Sequence, residues 1–172
     1  MVIPDKNKRY VVLDIETTGF SAASDKITEI GAVKIENGII TEEFSQLINP
    51  GIPIPWKITQ ITGINSEMVA EKPSIEEVLP VFMEFCADCT VVAHNARFDM
   101  GFIKTNANKQ GLDCSFEILD TLTLARRLFP YLRNHKLDTV ASHLNVELLK
   151  HHRASDDARA TAHIFLKCLE HL

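Results

Sequence analysis

Asp14 and Glu16 stand two residues apart where the apolar run Tyr10–Ile15 ends. Side chains two apart in a strand point to the same face, so these carboxylates project together from a segment that reads as buried. A buried strand carries such charge only where something compensates it. Two more acids have similar surroundings. Asp99 follows the apolar Val91-Val92-Ala93 and falls in the first turn of the next expected helix, and Asp157 lies early in the last one. Each alone has a plainer reading, as a helix N-cap, a partner of a helix dipole or a solvated strand end. Four acids from three segments, if the fold gathers them, suit the all-oxygen ligand set of a hard divalent cation and two-metal phosphoryl transfer.

The elements that must position these acids follow from local pattern. Tyr10–Ile15 is Val- and Ile-rich, as a buried strand requires. Ile27–Glu36 is a second strand, Asn37-Gly38 a tight hairpin turn, and Ile39–Ile48 the return strand. Asn49–Pro55, with three prolines and a glycine, reads as a rigid loop. Pro73-Ser74-Ile75-Glu76-Glu77 opens a helix with a proline and acids at its start, and Val78, Val81, Phe82 and Phe85 keep helical spacing. Pro80 weakens that helix or kinks it. Thr90–Ala93 is a short strand, and Arg97–Gln110 a helix stopped by Gly111. Phe116–Leu119 reads as a strand, and Asp120–Phe129, Leu137–Leu144 and Ala154–Leu172 as helices. Antiparallel strands first, then alternating strand and helix, predict a mixed α/β sheet with helices packed on it.

The 172 residues, 45% apolar and 24% charged, have the length and balance of one globular domain. The net charge of −5 argues against gripping nucleic acid by bulk electrostatics. Four of the negative charges would belong to the acid cluster, so the acidity reads better as a demand for cations at one site. No apolar run is long enough to span a membrane, and Met1–Tyr10 lacks the apolar core of a signal peptide. Cys86, Cys89, Cys114 and Cys168 are too few and scattered for a disulfide scaffold, and a cytoplasmic setting with free thiols is the simpler expectation. The Cys86-x-x-Cys89 pair has no matching second pair for zinc and reads as a helix end with two buried thiols.

Three motifs in order carry a resemblance: Leu13-Asp14-Ile15-Glu16-Thr17-Thr18-Gly19, His94-Asn95-Ala96-Arg97-Phe98-Asp99, and His152 five residues before Asp157. With Ile61-Thr62-Gly63-Ile64 and Asp120-Thr121-Leu122 between them, the sequence resembles the DnaQ-like DEDDh 3′→5′ exonucleases over about residues 8–170. Asn134-His135-Lys136-Leu137 and His151-His152-Arg153-Ala154 look closest to the proofreading exonuclease domains of PolC-type DNA polymerase III; the exonuclease segments of DinG-type helicases look similar. The resemblance implies a single exonuclease domain over 1–172, with a ribonuclease H-like five-stranded mixed sheet flanked by helices. It also implies an enzyme that removes nucleotides from a single-stranded or frayed DNA 3′ end, beside other parts of a DNA polymerase III and away from any membrane.

On that resemblance Asp14, Glu16, Asp99 and Asp157 are expected to hold two Mg²⁺ or Mn²⁺ ions, with His152 as general base. His151 rivals His152, and Asp156 rivals Asp157; only the five-residue interval selects between them. Thr17, Thr18 and Gly19 are expected to receive the terminal nucleotide, Ile64 to pack on its base or else lie in the core, and Asn95 to hold the site or cap the helix. Arg126, Arg127, Arg133 and Lys136 lie in a stretch free of acids, either contacting strand phosphates or forming a solvated face. An exoribonuclease, a ribonuclease H-like endonuclease and a non-catalytic end-binding module are the competing readings.

Overall fold

The computed structural model describes residue 5 and residues 7–172. Part of the polar lead-in Met1–Tyr10 lies outside the described residues. Strands β1 (Tyr10–Thr17), β2 (Ile27–Glu36), β3 (Ile39–Leu47), β4 (Thr90–Ala93) and β5 (Ile118–Asp120) form one sheet in the order β3-β2-β1-β4-β5. The β1–β2 and β2–β3 pairs are antiparallel, and β1–β4 and β4–β5 are parallel. This is the mixed five-stranded sheet expected. Asn37 and Gly38 both take positive φ, 51° and 76°, the conformation of a two-residue hairpin turn whose twist matches that of the strands it joins.

Alternation along β1 divides the core. Val11, Leu13 and Ile15 face a layer built by α3 (Ile75–Phe85) and α4 (Ala96–Gln110), with Leu79, Phe82, Phe102 and Ile103. Tyr10 and Val12 face the opposite layer, where α7 (Ala154–Glu170) contributes Ala162, Phe165 and Leu169. Helices α5 (Thr121–Leu128) and α6 (Leu137–His143) pack beyond α7 through Ala125, Val140 and Ile164. Small residues at 158, 160 and 162 of α7 are buried and let that helix lie close to the sheet.

The helix expected after Pro73 is present, and two short helices that the sequence pattern did not show precede it. Helix α3 runs through Pro80, held by buried Val78, Leu79 and Phe82 and by the Ser74 N–H donating to Glu77 Oε2 at 2.8 Å. The segment after the proline loop contains two short helices, α1 (Trp56–Thr62) and α2 (Ser66–Val69). At seven and four residues they are too short to show a helical period. Pro55 starts α1, Gly63 ends it in the left-handed region, and the Asn65 side chain accepts from Met68 N. Cys86 caps α3, and all four cysteines are free, Cys86 and Cys89 both buried. Burial raises both thiols above the ordinary range, which suits inert core residues. Among the described residues no helix is long and apolar enough to cross a membrane.

Candidate active site

The acids gather at the carboxyl end of β1, where the neighbour on one side is antiparallel and on the other parallel. Crevices at such strand ends are where open α/β sheets bind ligands. Asp14 and Glu16 share the face of β1 that meets α7. Asp157, in the first turn of α7, comes down onto them, and one carboxylate oxygen from each of the three lies within 4.8 Å of the other two. Asp99 arrives from the other side of the sheet in the first turn of α4. Its Oδ1 accepts from Ile15 N at 3.1 Å, which pins the carboxylate between Asp14 and Glu16 in the chain. Asp99 and Asp157 are 3% and 4% exposed. The four acids expected from sequence therefore converge.

Their protonation behaviour reports the crowding. Burial, then Asp99, Glu16 and Asp157, pushes Asp14 well above the carboxylate range. Burial followed by Asp157, Glu29 and Asp99 lifts Glu16 to about 9, against a lowering pull from Arg153. Burial also raises Asp99, opposed by its backbone hydrogen bonds. Carboxylates so placed ionise at neutral pH only if positive charge joins them. The donor set is all oxygen, the chemistry of a hard divalent cation, so the residues fit the metal that the motifs imply.

The neighbours of Asp157 distinguish the rivals. Asp156 turns away from the cluster to line a groove with Asn145, Arg159 and His163 on the outer side of α7. Both histidines stay close. His151 Nδ1 donates to both Asp157 oxygens, at 3.0 and 3.1 Å, while His152 donates its backbone N–H to Asp157 Oδ2 at 3.0 Å. His152 sits in the left-handed region, φ 69°, which aims that N–H at the carboxylate. The two rings stack with centroids 3.8 Å apart. Burial, then His151, lowers the His152 pKa, opposed by Asp157. Thus it is His151, not His152, whose side chain bonds Asp157 here.

The expected substrate contacts need correction. Ile64 is fully buried among Ile54, Val69, Leu47 and Ile58, so it belongs to the core and not to a base-binding surface. Its neighbour Ile61, on α1, is half exposed. The hydroxyls of Thr17 and Thr18 are spent inside the loop: Thr17 Oγ1 donates to Gly19 O at 2.6 Å, and Thr18 Oγ1 accepts from Lys26 N at 3.0 Å. Gly19 makes room for the Asp25 side chain, which would meet a Cβ there at 2.5 Å. The same loop leaves Phe20, four residues beyond Glu16 in the chain, 84% exposed, a residue that no motif singled out. Asn95 does not cap α4 with its side chain. It takes φ 69°, ψ 51° and donates its backbone N–H to Asp120 Oδ1 at 2.9 Å, a left-handed turn that asparagine tolerates. Arg126, Arg127, Arg133 and Lys136 are all exposed.

A sequence model of the RNase T family, described as exonuclease, matches residues 11–165. The chain belongs to this exonuclease family. Among similar proteins, the DNA polymerase III PolC-type of Caldanaerobacter subterraneus subsp. tengcongensis is 55% identical over 95% of this chain, which spans 12% of that polymerase. The PolC-type polymerase of Thermotoga maritima is 49% identical over 94% of the chain and 12% of its own length. A structure of Exonuclease X in complex with 5′ overhanging duplex DNA superposes with a TM-score of 0.76 at 30% identity, covering 94% of this chain and 91% of the other. E. coli Exonuclease I in complex with a dA16 oligonucleotide reaches 0.84 at 16% identity, over 95% of this chain and 41% of that one. That likeness shows the shared fold, the ribonuclease H-like arrangement the motifs imply. The chain is a member of a nuclease family, with an acidic cluster able to hold a divalent cation.

Proposed function

We propose that residues 1–172 form one metal-dependent 3′→5′ exodeoxyribonuclease domain that proofreads for a DNA polymerase III in the cytoplasm. The observation that carries the reading is the convergence of Asp14, Glu16 and Asp157 within 4.8 Å, with Asp99 bonded to the same strand. The identity to PolC-type polymerases over most of this chain supports the polymerase setting, with other parts of DNA polymerase III as partners.

Asp14, Glu16, Asp99 and Asp157 would hold two Mg²⁺ or Mn²⁺ ions, which when bound supply Lewis-acid polarisation of the terminal phosphodiester and offset its charge. His152 is the general base. Among the described residues its ring nitrogens make no hydrogen bond, so a lone pair is free to take a proton from the attacking water. His151 instead spends Nδ1 on Asp157 and holds that carboxylate in place. A single-stranded or frayed DNA 3′ end enters over the Gly19-Phe20 turn, where Phe20 offers a face for a base. Arg126, Arg127, Arg133 and Lys136 would meet phosphates further along the strand.

The test uses 5′-labelled DNA, single-stranded or with a mismatched end, and RNA of the same sequence, each with Mg²⁺, Mn²⁺ or EDTA. Stepwise shortening from the DNA 3′ end, abolished by EDTA and by Asp157→Ala, is expected. Faster digestion of RNA would make it an exoribonuclease, and cutting of a 3′-blocked strand an endonuclease. Binding of ends without metal-dependent cleavage would leave a non-catalytic module.

A further inference from the structure

A fifth carboxylate stands at the site. Glu29 of β2 is the antiparallel partner of Glu16, and two residues on, Gly31 is the partner of Asp14. Cross-strand partners share a face, so Glu29 lies beside the acid cluster under the start of α7. It is 1% exposed. A guanidinium of the chain itself meets it. Arg153 Nε donates to Glu29 Oε2 at 3.1 Å and Nη2 to Oε1 at 2.9 Å, the planar fork-on-fork arrangement. Ala154 N adds a third donor to Oε2 at 3.0 Å.

We propose that the Glu29–Arg153 pair is a positioning and charge-setting element of the exonuclease site: it anchors the first turn of α7 to β2 and holds the charge offered to cations at four carboxylates instead of five. This rests on the reading that Asp14, Glu16, Asp99 and Asp157 bind divalent cations.

The placement argues for both halves. Arg153 directly follows His152 and precedes Asp157 by four residues, so one bidentate contact across 124 positions fixes the base and a metal ligand together. The close seat of α7 on β2 leaves no slack. A Cβ at Gly31 would meet the Ala154 carbonyl carbon at 2.2 Å. Each partner alone would act on the cluster with its own charge. Without Arg153, Glu29 keeps only the Ala154 N–H and becomes a free negative charge opposite Glu16. Without the Glu29 charge, the Arg153 guanidinium is left beside Glu16 and Asp156, both close enough to act on it, and it competes with cations for Glu16. The two losses therefore change cation affinity in opposite directions. A pair that served only as a packing strut would weaken cation binding whichever partner was lost.

The experiment is calorimetric titration with Mn²⁺ alone, without nucleic acid, on the wild type, Glu29→Gln, Arg153→Gln and the double variant. A charge within ~4–6 Å moves a neighbouring ionic equilibrium by about one to three powers of ten, so shifts of about tenfold are expected. Glu29→Gln should weaken Mn²⁺ binding by about that factor, Arg153→Gln should tighten it, and the double variant should return to within about threefold of wild type. On a labelled oligonucleotide each single variant should lose kcat with KM little changed, because Glu29 is buried and the Arg153 guanidinium is spent on it. Loss of Mn²⁺ affinity in both single variants, or no change in either, overturns the inference. If Glu29→Gln fails to fold by circular dichroism, the sign in Arg153→Gln decides: tighter binding supports the inference and weaker binding overturns it. A wild-type protein that takes up no Mn²⁺ would instead sink the metal-site reading, a distinct outcome.

Discussion

Gly31 of β2 lies so close to Ala154 that the first turn of α7 rests directly on the strand backbone, with 2.2 Å between a Cβ placed on Gly31 and the Ala154 carbonyl carbon. The obstacle is backbone on both sides, and a rotamer change cannot relieve it. Gly31→Ala should cost about 3 kcal/mol, at the upper end of overpacking penalties, read from the urea midpoint. Because α7 carries Asp157, activity should fall further than the population of folded protein does. A variant with wild-type stability and activity would contradict the close seat.

The raised carboxyls set a pH dependence of stability in metal-free protein. Glu16 holds its proton to about 9 in the folded state, against an ordinary value of 4.5. Between those values the folded chain binds more protons than the unfolded one, so unfolding free energy falls as pH rises. Divalent cation replaces the protons and removes the penalty. Melting temperature in EDTA should therefore drop from about pH 5 to about pH 9, and the gain on adding Mn²⁺ should grow across that range. A melting temperature in EDTA that climbs with pH would refute the assignment.

The two histidines should separate kinetically. His152→Ala removes the imidazole with a free lone pair and should lower kcat by about 10²–10⁴-fold, the usual worth of a general base. His151→Ala removes a hydrogen bond to Asp157 and should cost less in single-turnover rate while weakening cation binding. The reverse order of rates would exchange their roles.

Phe20 and Ile64 should behave as opposites. Phe20 is 84% exposed and Ile64 is fully buried. Phe20→Ala should leave the melting temperature unchanged and weaken single-strand binding about tenfold, within the ~1–3 kcal/mol of a base stacked on an aromatic ring. Ile64→Ala should cost about 2–5 kcal/mol of stability by opening a cavity, with affinity of the folded protein for DNA unchanged. Fluorescence anisotropy with a labelled oligonucleotide, beside thermal melts, reads both.

Much of this was legible in the chain. The bounds of β2 and β4 follow from short-range apolar pattern, and the Asn37-Gly38 turn from its residue types. Asp14, Glu16, Asp99 and Asp157 stood out because acids at strand ends and first helical turns are conspicuous locally. Short-range pattern also misled. Ile64 and Ile61 are the same residue type three positions apart, and only the rotation of α1 and the loop after it decides which is buried. Asp156 and Asp157 differ by about 100° around a helix, so the docking of α7 selects one for the cluster. Thr17 and Thr18 look available until the loop folds back and uses their hydroxyls.

What the sequence by itself determined was the five strands, the helices other than α1 and α2, and the acids each would carry, because periods of 2 and 3.6 are properties of neighbouring residues. What only the tertiary structure decided was which faces meet. Glu29 and Arg153, 124 positions apart, become partners because β2 pairs antiparallel with β1 and α7 returns across the same face. Chain-distant contacts of this kind depend on strand register and on the room that Gly31 leaves, and neither is written in local spacing.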